Sequence, residues 1–184
     1  QEEFIQPPSK EITTIRFTQL TGGIVIVRAT IGQFPDTLNF VLDTGSSGIS
    51  LDSSTVEYLG LHPVPTDRTI RGIAGIKNVS FLYNQQVHFP GLMIDSLDFH
   101  INDYSILTAV YGEQIDGIMG YSVLSRYILK VDYDSLRITF CTKGPIRYPR
   151  GGYMLRPTIN QLVAQPLRVR DAETKYTRFL YDMG

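Results

Sequence analysis

Apolar and polar residues alternate over short runs along most of the chain. Runs rich in Val, Ile, Phe, Tyr and Thr, interspersed with polar residues, cover 12–17, 24–31, 37–42, 79–83, 97–101, 128–133 and 136–141. A period of two predicts β-strands with one face turned to a core. Turn chemistry separates the runs at Gly32-Gln33-Phe34-Pro35-Asp36, at Asp134-Ser135 and, more weakly, at Asn84-Gln85-Gln86. Two short helices are predicted. Asp52-Ser53-Ser54-Thr55 caps one that runs to Leu59 and stops at Gly60, and the other spans residues 121–127. The period disappears in "TKGPIRYPRGGY", residues 142–153, where Gly, Pro and positive charge accumulate. The expected organisation is therefore all-β: a first unit over 1–141, a linker over 142–156 and the start of another β unit over 157–184.

A chain of 184 residues has room for one domain with a sizeable core, or for one and part of a second. The net charge of −1, with no basic block, argues against nucleic acid as the main partner, because phosphate binding needs clustered Lys and Arg. Cys141 is the one cysteine, which excludes an intrachain disulfide and a thiolate metal cluster. His62, His88 and His100 lack metal-ligand spacing, so neither metal nor cofactor is expected. No apolar stretch approaches the roughly 20 residues of a membrane span. The start Gln1-Glu2-Glu3 has neither an initiator Met nor a basic-then-apolar leader, as after removal of a signal peptide or trimming. The first of these gives the expectation of an exported, periplasmic or extracellular protein.

The candidate chemistry sits where an apolar run ends on a charge. Phe40-Val41-Leu42 leads into Asp43, followed by Thr44, Gly45 and Ser46. A carboxylate at the end of a buried strand needs N–H and hydroxyl donors to hold the anion. Gly45 lets backbone come close, and Ser46 offers a further hydroxyl. An Asx-turn at a strand end, or a cap on the next segment, would use Asp43 without chemistry. In "IDGIMGY", residues 115–121, an apolar pair stands between Gly117 and Gly120, which suits a strand passing close to another backbone. In "IRGIAGIKNV", residues 70–79, Gly72 and Gly75 suit a tight hairpin tip and the isoleucines suit apolar contact with something beneath it. Finally, "YTRFLYDMG" at 176–184 echoes "TLNFVLDTG" at 37–45: Phe, two large apolar residues, then Asp-X-Gly, each after a strand and a turn.

These motifs, in this order, resemble the aspartic protease superfamily, the retropepsins and pepsins. The segment "YSVLSRYILKVDYDSLRITF", residues 121–140, is similar to the helix and closing hairpin of bacterial retropepsin-like aspartyl proteases. The resemblance covers residues 20–141 and implies an acid-protease β-barrel lobe with one or two short helices, followed by an incomplete second lobe that opens at the echo. It implies an aspartic endopeptidase in which an Asp-activated water hydrolyses a peptide bond under a Gly-rich flap. Asp43 is then one catalytic carboxylate and Asp182 the candidate for the other. Thr44, Gly45, Ser46, Gly117 and Gly120 support the site, and Ile70, Arg71, Gly72, Ile73, Ala74 and Gly75 form the flap. The implied substrate is an extended peptide or protein. The implied partner is a second lobe from the same parent chain, or a homodimer mate that contributes its own Asp43.

In the family, the Thr at the position of Thr44 bonds across to the matching loop of the other half. Here Met183 replaces the Thr or Ser expected in that loop, so one side of the hydroxyl exchange is missing. Arg71 adds a charge to the flap, for acidic substrates or simply for solvent. The chain as given is not expected to complete a two-lobed site. A catalytically inactive peptide-binding module with the same fold is the alternative, and a β-barrel with a chance Asp-Thr-Gly a third reading. Among smaller features, Cys141 reads as a small core hydrophobe. Asp116 reads as structural, Tyr58 and Leu59 as helix-to-sheet packing, and Tyr104, Tyr111, Tyr148 and Tyr153 as cover for a core.

Overall fold

The structure, a computed structural model, describes residues 6–72, 75–170 and 174–183. They form β1 (Glu11–Gln19), β2 (Val25–Ile31), β3 (Leu38–Leu42), β4 (Ile49–Asp52) and helix α1 (Ser53–Tyr58). A long hairpin follows, β5 (Val64–Gly72) and β6 (Gly75–Phe89), then β7 (Leu92–Asn102), α2 (Ser105–Tyr111), β8 (Gly117–Met119) and α3 (Tyr121–Leu124). The hairpin β9 (Ile128–Asp132) and β10 (Arg137–Cys141) comes next. After it run β11 (Thr158–Ile159), β12 (Val163–Arg170) and β13 (Thr174–Leu180).

Six strands close into a barrel. They run β2, β3, β8, β4, β7, β6, and β6 returns to pair with β2 through Thr30↔His88 and Ile31↔Val87. β1, β10 and β9 extend the sheet from β2, and β5 extends it from β6. The alternation explains the outer strands: Ile15 and Phe17 of β1 point inward while Arg16 and Thr18 are exposed. β2 and β3 are apolar without alternation because both faces are covered. Val25, Val27, Phe40 and Leu42 pack into the barrel, while Ile26 and Val41 pack outward against Tyr104 and Ile115. Each such fully buried Leu, Ile or Phe contributes roughly 1.5–3 kcal/mol. Cys141 is free and buried at the end of β10.

The cap prediction at α1 agrees with the structure. Asp52 accepts the Ser54 N–H at 2.9 Å, and Gly60 ends the helix in the left-handed region at φ 64°. Three local expectations do not agree, and one helix was not expected. Asn84-Gln85-Gln86 is no turn: β6 runs through it, with Asn84 at φ 53°, its N–H on Asp98 Oδ1, and a register shift between Leu82 and Gln85. This is a bulge, and it bends the strand. α2 had no helical signal, because Ile106 and Val110 face solvent while Leu107 and Tyr111 carry its packing. Tyr58 is exposed and bonds Asp36 rather than packing on the sheet, although Leu59 is buried. Tyr148 and Tyr153 are also exposed, so only Tyr104 and Tyr111 cover a core. Residues 142–157 carry neither strand nor helix. Their start is tied down where Thr142 N–H reaches Lys10 O and Ser9 N–H reaches Pro145 O.

Candidate active site

β8 lies between β3 and β4. It runs parallel to β3, with Phe40↔Gly117, Val41↔Ile118 and Leu42↔Met119, and antiparallel to β4, with Ile49↔Met119 and Leu51↔Gly117. The loop 43–48 that joins β3 to β4 must therefore cross the end of β8. It is fixed there by backbone bonds from Asp43 N–H to Met119 O, Gly120 N–H to Gly48 O and Tyr121 N–H to Ser46 O, of 2.8–2.9 Å. Such crowding dictates the glycines. A Cβ on Gly117 would stand 2.2 Å from Ser50 O and 2.7 Å from the Phe40 ring, and one on Gly120 2.2 Å from Ser46 O.

Asp43 projects from this crossing at half-burial. Its Oδ1 accepts the Gly45 N–H at 2.5 Å, and its carboxyl group is hydrogen-bonded to that of Asp182, which follows β13. The two carboxyls meet over Gly45, where a Cβ would be 2.8 Å from Asp182 Oδ2. The missing side chain is what leaves room for the second acid. Burial, then the hydrogen bond and the charge of Asp182, push the Asp43 pKa from the ordinary 3.8 to about 6, against the opposing backbone N–H groups of Gly45 and Ser46. Like charges so close resist joint ionisation, so the proton belongs to the pair.

Thr44 holds the second acid in place. Its hydroxyl donates to Tyr181 O at 2.6 Å and accepts the Met183 N–H at 3.1 Å, bracketing Asp182 from both sides. Met183 also packs against the barrel core, and the Tyr181 N–H bonds Val163 O at 2.7 Å. An apolar cavity of about 100 Å³ lies alongside, lined by Thr44, Tyr121, Leu124, Ser125, Ile159 and Val163. Met183 thus joins the contact through its backbone, which the identity of its side chain does not affect.

Of the hairpin named as a flap, Ile73 and Ala74 lie outside the described residues, as does Gly184. β5 and β6 pair up to Gly72↔Gly75, with Gly75 at φ 107°. Ile70 is half-buried. Ser46 takes part through its carbonyl and its N–H, as above. Asp116 is buried and structural in its contacts: Oδ2 accepts the Asn39 N–H and Oδ1 the Thr55 hydroxyl, both at 2.7 Å. Sequence reasoning missed a polar cluster behind the crossing. Ser50 Oγ and Tyr104 Oη lie 2.6 Å apart, Ser50 Oγ also accepts the Ile118 N–H, and Asp52 Oδ1 accepts the Tyr104 N–H. Burial, which outweighs the Ser50 bond, raises the Tyr104 phenol, and the charge of Asp43 adds to the effect. Asp52 carried a signal only as a helix cap, and Tyr104 only as cover for a core. Among the described residues no three or more His, Cys, Asp or Glu are grouped to hold a metal ion, and no helix is long and apolar enough to cross a membrane.

Comparison with known proteins gives two matches. A family model described as aspartyl protease matches residues 27–123. A retropepsin-like aspartic protease from Rickettsia conorii, solved by crystallography, is similar in fold at a TM-score of 0.51 and 18% identity, over 76% of this chain and 100% of that one. No curated protein matches the chain.

Proposed function

Because the chain belongs to the aspartyl protease family, we propose that it hydrolyses peptide bonds with Asp43 and Asp182 as a proton-sharing pair. The observation that supports this is the hydrogen bond between two carboxyls delivered by strands far apart in the sequence. A water between them gives a proton to the ionised carboxyl as its oxygen attacks the scissile carbonyl carbon. The protonated carboxyl donates to the carbonyl oxygen, forming a gem-diol. The first carboxyl then passes its proton to the amide nitrogen, and as the C–N bond breaks the other takes one from the gem-diol hydroxyl, which leaves a carboxylic acid product and restores the pair with one proton. No covalent intermediate is needed. The substrate is an extended peptide held largely through its backbone, with the β5–β6 hairpin closing over it and excluding bulk water.

A second reading, peptide binding without hydrolysis, is favoured by one observation: Met183 has no hydroxyl to return the bond that Thr44 makes. Incubation with a denatured peptide library at pH 4–7, with and without a statine-type inhibitor, separates the two. Hydrolysis that is blocked by the inhibitor and lost in Asp43→Asn and in Asp182→Asn supports the protease. Inhibitor or peptide binding without cleavage supports the binding module. Cleavage that survives Asp43→Asn eliminates the mechanism.

A further inference from the structure

Away from the carboxyl pair, a cavity of about 550 Å³ opens where the start of β3, helix α1 and the approach to β8 meet. Its volume falls within the range of roughly 300–1,000 Å³ typical of small-molecule sites. It is built by the barrel unit, and Asn39 in its wall stands four residues before Asp43, about 13 Å along β3.

The floor of the cavity is already satisfied. Asp116 is 7% exposed, with one carboxylate oxygen on the Asn39 N–H and the other on the Thr55 hydroxyl. Leu38, the one aliphatic residue of the described lining, packs into the barrel core. The walls are not satisfied. Asn39 spends Nδ2 on Gln114 O at 3.0 Å and keeps Oδ1. The Tyr58 hydroxyl donates to Asp36 Oδ1 at 3.1 Å, which leaves Asp36 Oδ2. Thr37 and Gln114 are exposed, and their side chains make no hydrogen bond among the described residues.

This set of groups decides the class of guest. Among the described residues no Lys, Arg or His lines the cavity, so a phosphate or carboxylate would meet Asp36 without a compensating cation. An apolar guest would leave the polar walls unpaired. An organic cation would suit Asp36 Oδ2, but it brings donors only and gives the Gln114 amide and Thr37 hydroxyl protons nothing to meet. A pyranose brings both. Its adjacent hydroxyls can donate to Asp36 Oδ2 and Asn39 Oδ1 and accept from Gln114 and Thr37, and it also carries an apolar C–H face. Tyr58 is 72% exposed and anchored by its hydroxyl to Asp36, so its ring offers that face a platform.

We infer that this cavity binds a neutral sugar, one or two pyranose rings of a glycan. Tyr58 is the stacking ring, and Asp36, Thr37, Asn39 and Gln114 are the hydrogen-bonding partners. The inference does not rest on the proposed hydrolysis, and its test does not read it.

The probes are glucose, galactose, mannose, N-acetylglucosamine, maltose and cellobiose, each added to the whole chain up to about 100 mM and followed by amide NMR. At least one is expected to give saturable shifts at residues 36–39, 54–58 and 114–116, with a dissociation constant of about 1–10 mM. Tyr58→Ala and Gln114→Ala change exposed side chains, and each is expected to weaken that sugar roughly fivefold. Methylguanidinium chloride is expected not to saturate the same amides. No saturable shift with any of the six sugars overturns the inference, as does an affinity that either variant leaves unchanged. Saturation by methylguanidinium in place of a sugar makes the cavity a cation site and overturns it as well.

Discussion

Replacing Thr44 by valine removes one hydroxyl that makes two bonds to the backbone around Asp182. The shape of the side chain is nearly kept, so the loss is electrostatic. The Met183 N–H is left in a half-buried position without its acceptor, while Tyr181, whose carbonyl loses the other bond, is an exposed residue. The first loss dominates, and together they cost about 2 kcal/mol of local stability. That corresponds to roughly thirtyfold faster amide exchange at Met183. Thr44→Ser keeps the hydroxyl and should exchange near the wild-type rate. The barrel should hold its global stability to within about 0.5 kcal/mol, because its ring strands all lie within residues 25–119. Exchange at Met183 that is unchanged in Thr44→Val, or equally fast in Thr44→Ser, refutes the role given to this hydroxyl.

Asp43 binds its proton more tightly in the folded than in the unfolded chain, with a pKa raised to about 6. Folding is therefore unpenalised by this group below pH 3.8 and loses stability as pH rises toward 6. The shift itself corresponds to about 3 kcal/mol, which solvent at this half-exposed group reduces to about 1–2 kcal/mol. Thermal melts of wild type and Asp43→Asn should accordingly diverge between pH 4 and 6, with the variant gaining roughly 3–6 °C; parallel curves would contradict the raised pKa. Gly45→Ala puts a methyl against Asp182 Oδ2, so it should displace that carboxyl and lower the Asp43 titration midpoint with little change in melting temperature. Gly117→Ala meets backbone at Ser50 O and should destabilise by about 3 kcal/mol or more, seen as a melting temperature lower by roughly 6–12 °C.

The barrel was legible where local chemistry decides structure. Two-residue alternation marks β1, β9 and β10, and Asp52 with Gly60 brackets α1. The tightness at Gly117 and Gly120 was visible as an apolar pair between glycines, although a three-residue strand inserted between two others has no signature of its own. α2 was hidden because its exposed Ile106 and Val110 blur any helical face, and the Asn84 bulge because a turn and a bulge favour the same residues. The pairing of Asp43 with Asp182 spans more than a hundred residues, and only the echo of Phe-apolar-apolar-Asp hinted at it. Met183 is the instructive case. Its side chain lacks the expected hydroxyl, yet the bond that Thr44 receives from this loop comes from a backbone N–H, which any residue but proline supplies.

The proposed chemistry requires two carboxyls from distant strands to share a proton, and carboxyl-carbon NMR titration measures that sharing. With Asp43 observed in wild type and in Asp182→Asn, we expect a midpoint at about 6 in the first and a lower one in the second, where the charge of the second acid is gone and the amide that replaces it can donate to the Asp43 anion. A wild-type midpoint near 3.8, or one that Asp182→Asn leaves in place, would contradict the claim.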